Sequence, residues 1–205
     1  MVSVLLKEKN LLFLHVPKTA GGSISRLLRL KADAVLYPVS DMTIAEPCVV
    51  QLAKQLDRPL KTFRSIAFVR NPWDWAVSGY IHVTKNRPAF VNPPSFREFV
   101  RGEWENPSIL QYPHKFNTPA AYVAYHTEIT QWAHLFSSET ELSLDAICRF
   151  ERLEEEVKRV FGQDAVLPHA NRSDRDHYSK YYDDETRALV ASRNVNLIER
   201  FGYEF

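Results

Sequence analysis

Two cysteines, Cys48 and Cys148, are all the thiol chemistry in this 205-residue chain. Far apart in sequence, they make neither a CxxC pair nor a disulfide framework, which fits a reducing compartment and leads us to expect the cytoplasm. An excess of charge of one sign is lacking too. With 26 Lys and Arg against 25 Asp and Glu, the formal charge is +1. That balance argues against a general polyanion binder such as a nucleic-acid protein, so any anion site must be a local arrangement. There is no apolar run of the roughly 20 residues that cross a membrane. "LLFLHV" (11–16) is the longest early one, and the polar "KEKN" (7–10) stands where a signal peptide would continue. Repeats and low-complexity tracts are absent. What remains is 45% hydrophobic and 25% charged, an ordinary globular balance. The chain is most simply read as one domain over residues 1–205, large enough to bury roughly 70% of its unfolded surface.

What is present is an alternation of strand and helix. "NLLFLHV" (10–16) is a short apolar run suited to a buried parallel strand, and "SISRLLRL" (23–30) reads as the helix after it, with Ser23 able to cap the first turn. "RSIAFV" (64–69) is a second strand, ending at "RNP". Behind it Trp73, Ala76, Val77, Tyr80 and Ile81 have the spacing of an amphipathic helix. "DAICRF" (145–150) is a third strand, followed by a helix from Glu151. That helix sets Leu153, Val157, Val160 and Phe161 on one face and the pairs Glu154–Lys158 and Glu155–Arg159 on the other, with Gly162 as its stop. A last helix is expected over 183–201, with Leu189, Leu197, Ile198 and Phe201 inward. Repeated strand–helix units predict an α/β fold with a central, mainly parallel sheet. Residues 86–144, rich in Pro, Asn and aromatics, read as an insertion of loops and short helices. In such sheets ligands sit beyond the carboxyl ends of the strands, where an insertion can serve as a lid over a substrate.

The stretch "FLHVPKTAGGSI" (13–24) puts a cation and a Gly-Gly pair at the end of an apolar strand. It lies within a basic run: Lys7, Lys9, Lys18, Arg26, Arg29 and Lys31 stand against the single acid Glu8 in residues 1–31. Gly21 and Gly22 are expected to let the chain bend and an anion approach. The N–H groups of the following helix favour phosphate or sulfate, Lys18 brings a full charge, and Thr19 and Ser23 bring hydroxyls. In the nucleotide P-loop pattern GxxxxGK[ST] the lysine follows the second glycine. Here it precedes both glycines, which counts against an ordinary NTPase or kinase.

"HVPKTAGGSI" (15–24) resembles the 5′-phosphosulfate loop of sulfotransferases that use 3′-phosphoadenosine 5′-phosphosulfate (PAPS), in the branch with carbohydrate sulfotransferases and many bacterial members. "FVRNPWDWAVSGY" (68–80) is similar to that family's 3′-phosphate element, with its arginine at Arg70 and its serine at Ser78. The helical reading agrees: at 3.6 residues per turn Ser78 points about 130° from the centre of the apolar face, free to meet a ligand. Arg70 at a strand's carboxyl end offers a forked donor for a phosphate dianion. "LDAICRFERLEEEVKRVFG" (144–162), "LPHANRSDRDHYSKYYDDETRALV" (167–190) and "ERFGYEF" (199–205) extend the resemblance over nearly the whole chain. It implies a P-loop-like three-layer fold, a donor site from Pro17, Lys18, Thr19, Ala20, Gly21, Gly22, Ser23, Arg70 and Ser78, and a contribution from Arg172 and Ser173. It also implies in-line transfer of a sulfuryl group from PAPS to a hydroxyl, or an amine, of a small-molecule or carbohydrate acceptor. Adenosine 3′,5′-bisphosphate leaves, Lys18 stabilises the leaving oxygen, and no metal takes part.

Many relatives carry a histidine base between the two donor elements, and this chain has none between Val16 and Ile81. Glu46 stands near the expected place, with Asp41 as the alternative base. His15 reads as a structural hydrogen-bonder. His114, His126 and His134 lack a metal-ligand spacing, and His169 and His177 flank the "NRS" stretch. Trp73, Trp75, Trp104, Trp132 and the Tyr181–Tyr182 pair read as core or lid packing, with Trp104 and Tyr112 in the insertion the alternative candidates to stack on a sugar or aromatic acceptor. A small-molecule kinase and a non-catalytic binder of PAPS or its product are the competing readings. Acceptor identity and oligomeric state are left open.

Overall fold

The structure is a computed structural model, and it describes residues 2–38, 47–86, 89–105, 119–136, 144–168 and 175–205. In chain order the elements are β1 (Val2–Leu6), β2 (Leu11–Leu14), α1 (Gly21–Leu28), β3 (Ala34–Pro38), α2 (Cys48–Ala53), β4 (Arg64–Val69), α3 (Pro72–Ile81), α4 (Phe96–Arg101), α5 (Pro119–Thr127), α6 (Gln131–Leu135), β5 (Leu144–Arg149), α7 (Leu153–Phe161), α8 (Asp184–Arg193) and α9 (Val195–Phe201). The described residues fall into two compact units. One holds those up to 38, from 47 to 70 and from 133 to 168; the other holds those from 71 to 132 and from 175 onward.

The first unit is the α/β part. Its sheet has the order β3-β1-β2-β4-β5. β2 pairs parallel with β4 and β4 with β5, while β1 is antiparallel to both β2 and β3. Thus β2, β3, β4 and β5 all run one way and β1 alone runs against them, in keeping with the expected mainly parallel sheet. Val4, Leu6, Leu11, Phe13, Ile66, Phe68 and Cys148 alternate onto one face and are covered there by Ile24 and Leu28 of α1 and Val157 of α7. Residues between them, Leu12, Ala67 and Val69, are buried as well. Apolar side chains on both faces are what a sheet buried on both sides requires.

β2, β4, β5, α1, α3 and α7 stand where the apolar patterns put them, within a few residues. β1 and β3 were not foreseen. The signal for β1 was there: "KEKN" is a polar turn between two apolar runs, with Asn10 left-handed at φ 49°. It turns a hairpin, as its Asn10 N–H donating to Lys7 O shows.

Other details differ from expectation. Ser23 caps nothing, because α1 starts earlier, with Ala20 as its N-cap residue and Ser23 buried inside the helix. On α7, Arg159 pairs with Glu156, one turn back at 2.6 Å, rather than with Glu155. Gly162 does end that helix, at φ 114°.

The second unit is helical. α3 is buried almost all round rather than on one face, since α4, α5, α8 and the 3₁₀ turn Tyr178–Tyr181 all pack against it. Its start is fixed by Asn71, whose Oδ1 accepts from the N–H groups of Trp73 (3.0 Å) and Asp74 (3.3 Å), with Pro72 in the first helical position. The helix expected over 183–201 is broken at Asn194, whose Nδ2 donates back to Val190 O at 2.9 Å. Such a local side-chain bond competes with the helical ladder.

Candidate functional site

The turn after β2 is the chemically distinctive part of the first unit. Its left-handed residues are Lys18 (φ 62°) and Ala20 (φ 64°), neither of them glycine, while Gly21 and Gly22 keep ordinary negative φ inside α1. The expectation that the glycines make the bend is therefore corrected. Gly21 is needed for room: a Cβ there would come 2.1 Å from the His15 ring. A left-handed non-glycine residue costs about 1–2 kcal/mol, so something must hold the two in place.

Several bonds do. Thr19, buried, donates its hydroxyl to Val16 O at 3.0 Å, so that proton is already engaged and does not point to a ligand. His15 lies beneath α1: Val2 N–H donates to its Nδ1 (3.1 Å), and its own N–H donates to Ser3 Oγ (3.1 Å). Arg70, buried at the carboxyl end of β4, donates from Nη1 to Lys18 O at 3.1 Å, and its guanidinium lies 4.0 Å over the Phe150 ring. This contact follows from register. Val69 and Arg149 are paired across β4 and β5, so the next residues on each strand, Arg70 and Phe150, come out side by side.

With positive φ at Lys18 and Ala20 and negative φ at Thr19 between them, the turn has the alternating backbone that gathers N–H groups into an anion-binding concavity. Among the described residues, the main-chain N–H groups of Thr19, Ala20, Gly21 and Gly22 have no acceptor. Lys18 is partly exposed beside them, whereas Lys7, Lys9, Arg26, Arg29 and Lys31 are solvated surface charges.

A family model described as the sulfotransferase family matches residues 3–204. The chain belongs to that family. No curated protein and no solved structure matches it. The sulfotransferase family assignment makes the chain a transferase acting on an acceptor substrate, and the motif-based resemblance holds at that level.

Pro17 through Ser23 form one continuous turn and helix start, with Arg70 tied to it through Lys18 O. Ser78 belongs to the second unit and is buried on α3, 9% exposed. The helical geometry that set it apart from the apolar face did not foresee α3 being enclosed. Glu46, Asp41, Arg172, Ser173, His114, Tyr112 and His169 lie outside the described residues. Among the described residues no cluster of His, Cys, Asp and Glu is placed to hold a metal, and no helix is long and apolar enough to cross a membrane.

Two contacts around the turn were not read from sequence. Phe150 under Arg70 needs the strand register, and the His15 ring under Gly21 needs the third dimension.

Proposed function

We propose that this sulfotransferase-family chain moves a sulfuryl group from PAPS to a hydroxyl, less readily an amine, of a small-molecule or carbohydrate acceptor. The observation that carries the reading is the turn after β2: N–H groups of Thr19 to Gly22 without acceptors, beside Lys18, at the carboxyl end of a strand. That donor set fits a sulfate or phosphate group, because preformed N–H groups and one cation meet its oxygens with no reorganisation.

PAPS supplies an activated sulfuryl group on a good leaving group. The chain's own residues do the rest. The N–H groups of the turn hold the non-bridging oxygens. Lys18 meets the charge that grows on the bridging oxygen. Arg70 and Ser78 are the proposed contacts of the 3′-phosphate, with Arg172 and Ser173 adding to it. Glu46, with Asp41 as alternative, takes the proton from the acceptor. In this reading the fold is P-loop-like, the stretch 86–144 is the acceptor-site lid, and the working compartment is the reducing cytoplasm, which agrees with both cysteines being free and buried.

Calorimetric titration with adenosine 3′,5′-bisphosphate, with AMP as control, tests the donor site in the wild type and in Arg70→Ala. Binding that needs the 3′-phosphate and fails in the variant supports the reading, and Glu46→Gln should then keep that binding but lose transfer. Equal binding of AMP, or none of either, overturns it.

A further inference from the structure

His15, the residue after β2, is 7% exposed and has no part in the chemistry described above. Its ring is held at one end. Val2 N–H donates to Nδ1 at 3.1 Å. Ser25 donates its hydroxyl proton to Val2 O at 2.6 Å, with its Oγ 3.4 Å from the same Nδ1. A neutral imidazole carries one proton, on one of its two nitrogens. On Nδ1 that proton would face the Val2 N–H and leave it without an acceptor, and Val2 O, 3.3 Å away, already receives the Ser25 proton. These bonds put the lone pair on Nδ1 and the proton on Nε2.

The direction in which Nε2 faces follows from α1. Ser25 and Gly21 are one turn apart, on the same side of the helix. Nδ1 stands beside Ser25, whereas Nε2 stands beside Gly21, 2.3 Å from where a Cβ would be. The ring thus runs along α1 with its Nε2 end towards the helix N-terminus. A helical Cβ also leans towards the N-terminus. The space that Gly21 leaves open, and that Nε2 enters, therefore lies on the side of α1 where Thr19 to Gly22 gather their N–H groups.

Building on the donor site described above, on which the inference rests, we propose that His15 Nε2–H is a direct contact of the anion held by the turn after β2. That anion is the phosphate or sulfate group at the 5′ end of the nucleotide. A side-chain N–H joins the main-chain ones, and the missing Cβ of Gly21 is what admits it. His15 is then a binding residue as well as the hydrogen-bonder beneath α1.

Two substitutions separate the ends of the ring. His15→Asn sets its amide near the position of Nδ1, so it keeps an acceptor for Val2 N–H and loses the far donor. His15→Gln reaches the position of Nε2 with an amide N–H and gives up the Val2 bond. Adenosine 3′,5′-bisphosphate and AMP share the 5′-phosphate, so calorimetric titration with each is the measurement. His15→Asn should weaken both ligands by about tenfold or more, the usual loss of a hydrogen bond to an anion, and His15→Gln should restore most of it. A purely structural His15 gives the reverse order, with Asn tolerated and Gln not. That order, or wild-type affinity in His15→Asn, overturns the inference.

Imidazole nitrogen NMR of the wild type adds a reading that no folding defect disturbs. Nε2 should carry the proton in the free protein, and its signal should move when either ligand is added. A proton on Nδ1, or an Nε2 signal that ignores both ligands, overturns the inference as well. The donor-site reading fails in a different way: equal binding of AMP in the wild type removes the 3′-phosphate and with it PAPS, while His15→Asn should still weaken both ligands. Binding of neither ligand by the wild type overturns both.

Discussion

A Cβ built on Gly21 would stand 2.1 Å from Cδ2 of the His15 ring, closer than any two such atoms can sit. Gly21→Ala should therefore force the ring or α1 to move and destabilise the protein by about 1–3 kcal/mol, the usual cost of overpacking. The same substitution in a His15→Ala background should cost much less. Urea unfolding of the four proteins of this double-mutant cycle checks it; additive costs would mean that the ring is not the obstacle.

Arg70 is a brace as well as a charge. Lysine could keep the charge but not both the bond to Lys18 O and the stack on Phe150. Arg70→Lys is expected to lose about 1–3 kcal/mol of stability and at least tenfold in affinity for adenosine 3′,5′-bisphosphate. Phe150→Leu, which removes the ring and leaves the cation, should reproduce part of both losses. Unchanged melting and binding in Arg70→Lys would contradict the bracing role.

Burial raises the pKa of the Cys148 thiol to about 12, with Glu156 reinforcing the shift and Arg159 opposing it. In the unfolded chain the same thiol ionises near 8.5. Stability carried by the neutral thiol is thus complete below about pH 8.5 and falls as pH rises from there towards 12, by up to about 1.4 kcal/mol per pH unit. Chemical denaturation between pH 8 and 10 should show this decline in the wild type and a shallower one in Cys148→Ala. Parallel slopes would remove Cys148 from the explanation. The native thiol should also resist iodoacetamide and react once the chain is unfolded.

Asn71 does two jobs: its Oδ1 caps α3, and its Nδ2 donates to Glu204 O at 2.8 Å. Asn71→Asp should keep the cap and lose the link to the last residues, where Phe205 packs edge-on against Trp73. Asn71→Ala should lose both and cost more, with the cap alone accounting for about 1 kcal/mol. Thermal melts of the two variants give the order. Asn71→Asp falling as far as Asn71→Ala would mean the cap contributes little.

"RNP" at 70–72 shows how far the sequence was legible. Each residue has a local job that its type announces: a forked donor at a strand end, a helix cap, and a proline in the first turn. The parallel strands were legible for a similar reason, since apolar runs ending in turn formers need no partner to be recognised. β3 was not, because an edge strand with half its side chains in water lacks such a run. α3 was recognised as a helix but misjudged as amphipathic, for periodicity marks the first face a helix buries and not the number of its neighbours. The break at Asn194 and the stack of Phe150 on Arg70 depend on side-chain geometry and strand register that no spacing encodes.

Because the turn after β2 takes its shape from Lys18 and Ala20 rather than from flexible glycines, the loss of chain freedom falls at the time of folding. An anion entering it meets a rigid socket, not a loop that must wrap around it. Association there should be quick and leave the heat capacity almost untouched. Replacing Ala20 by glycine would ease the backbone yet turn that socket into a hinge.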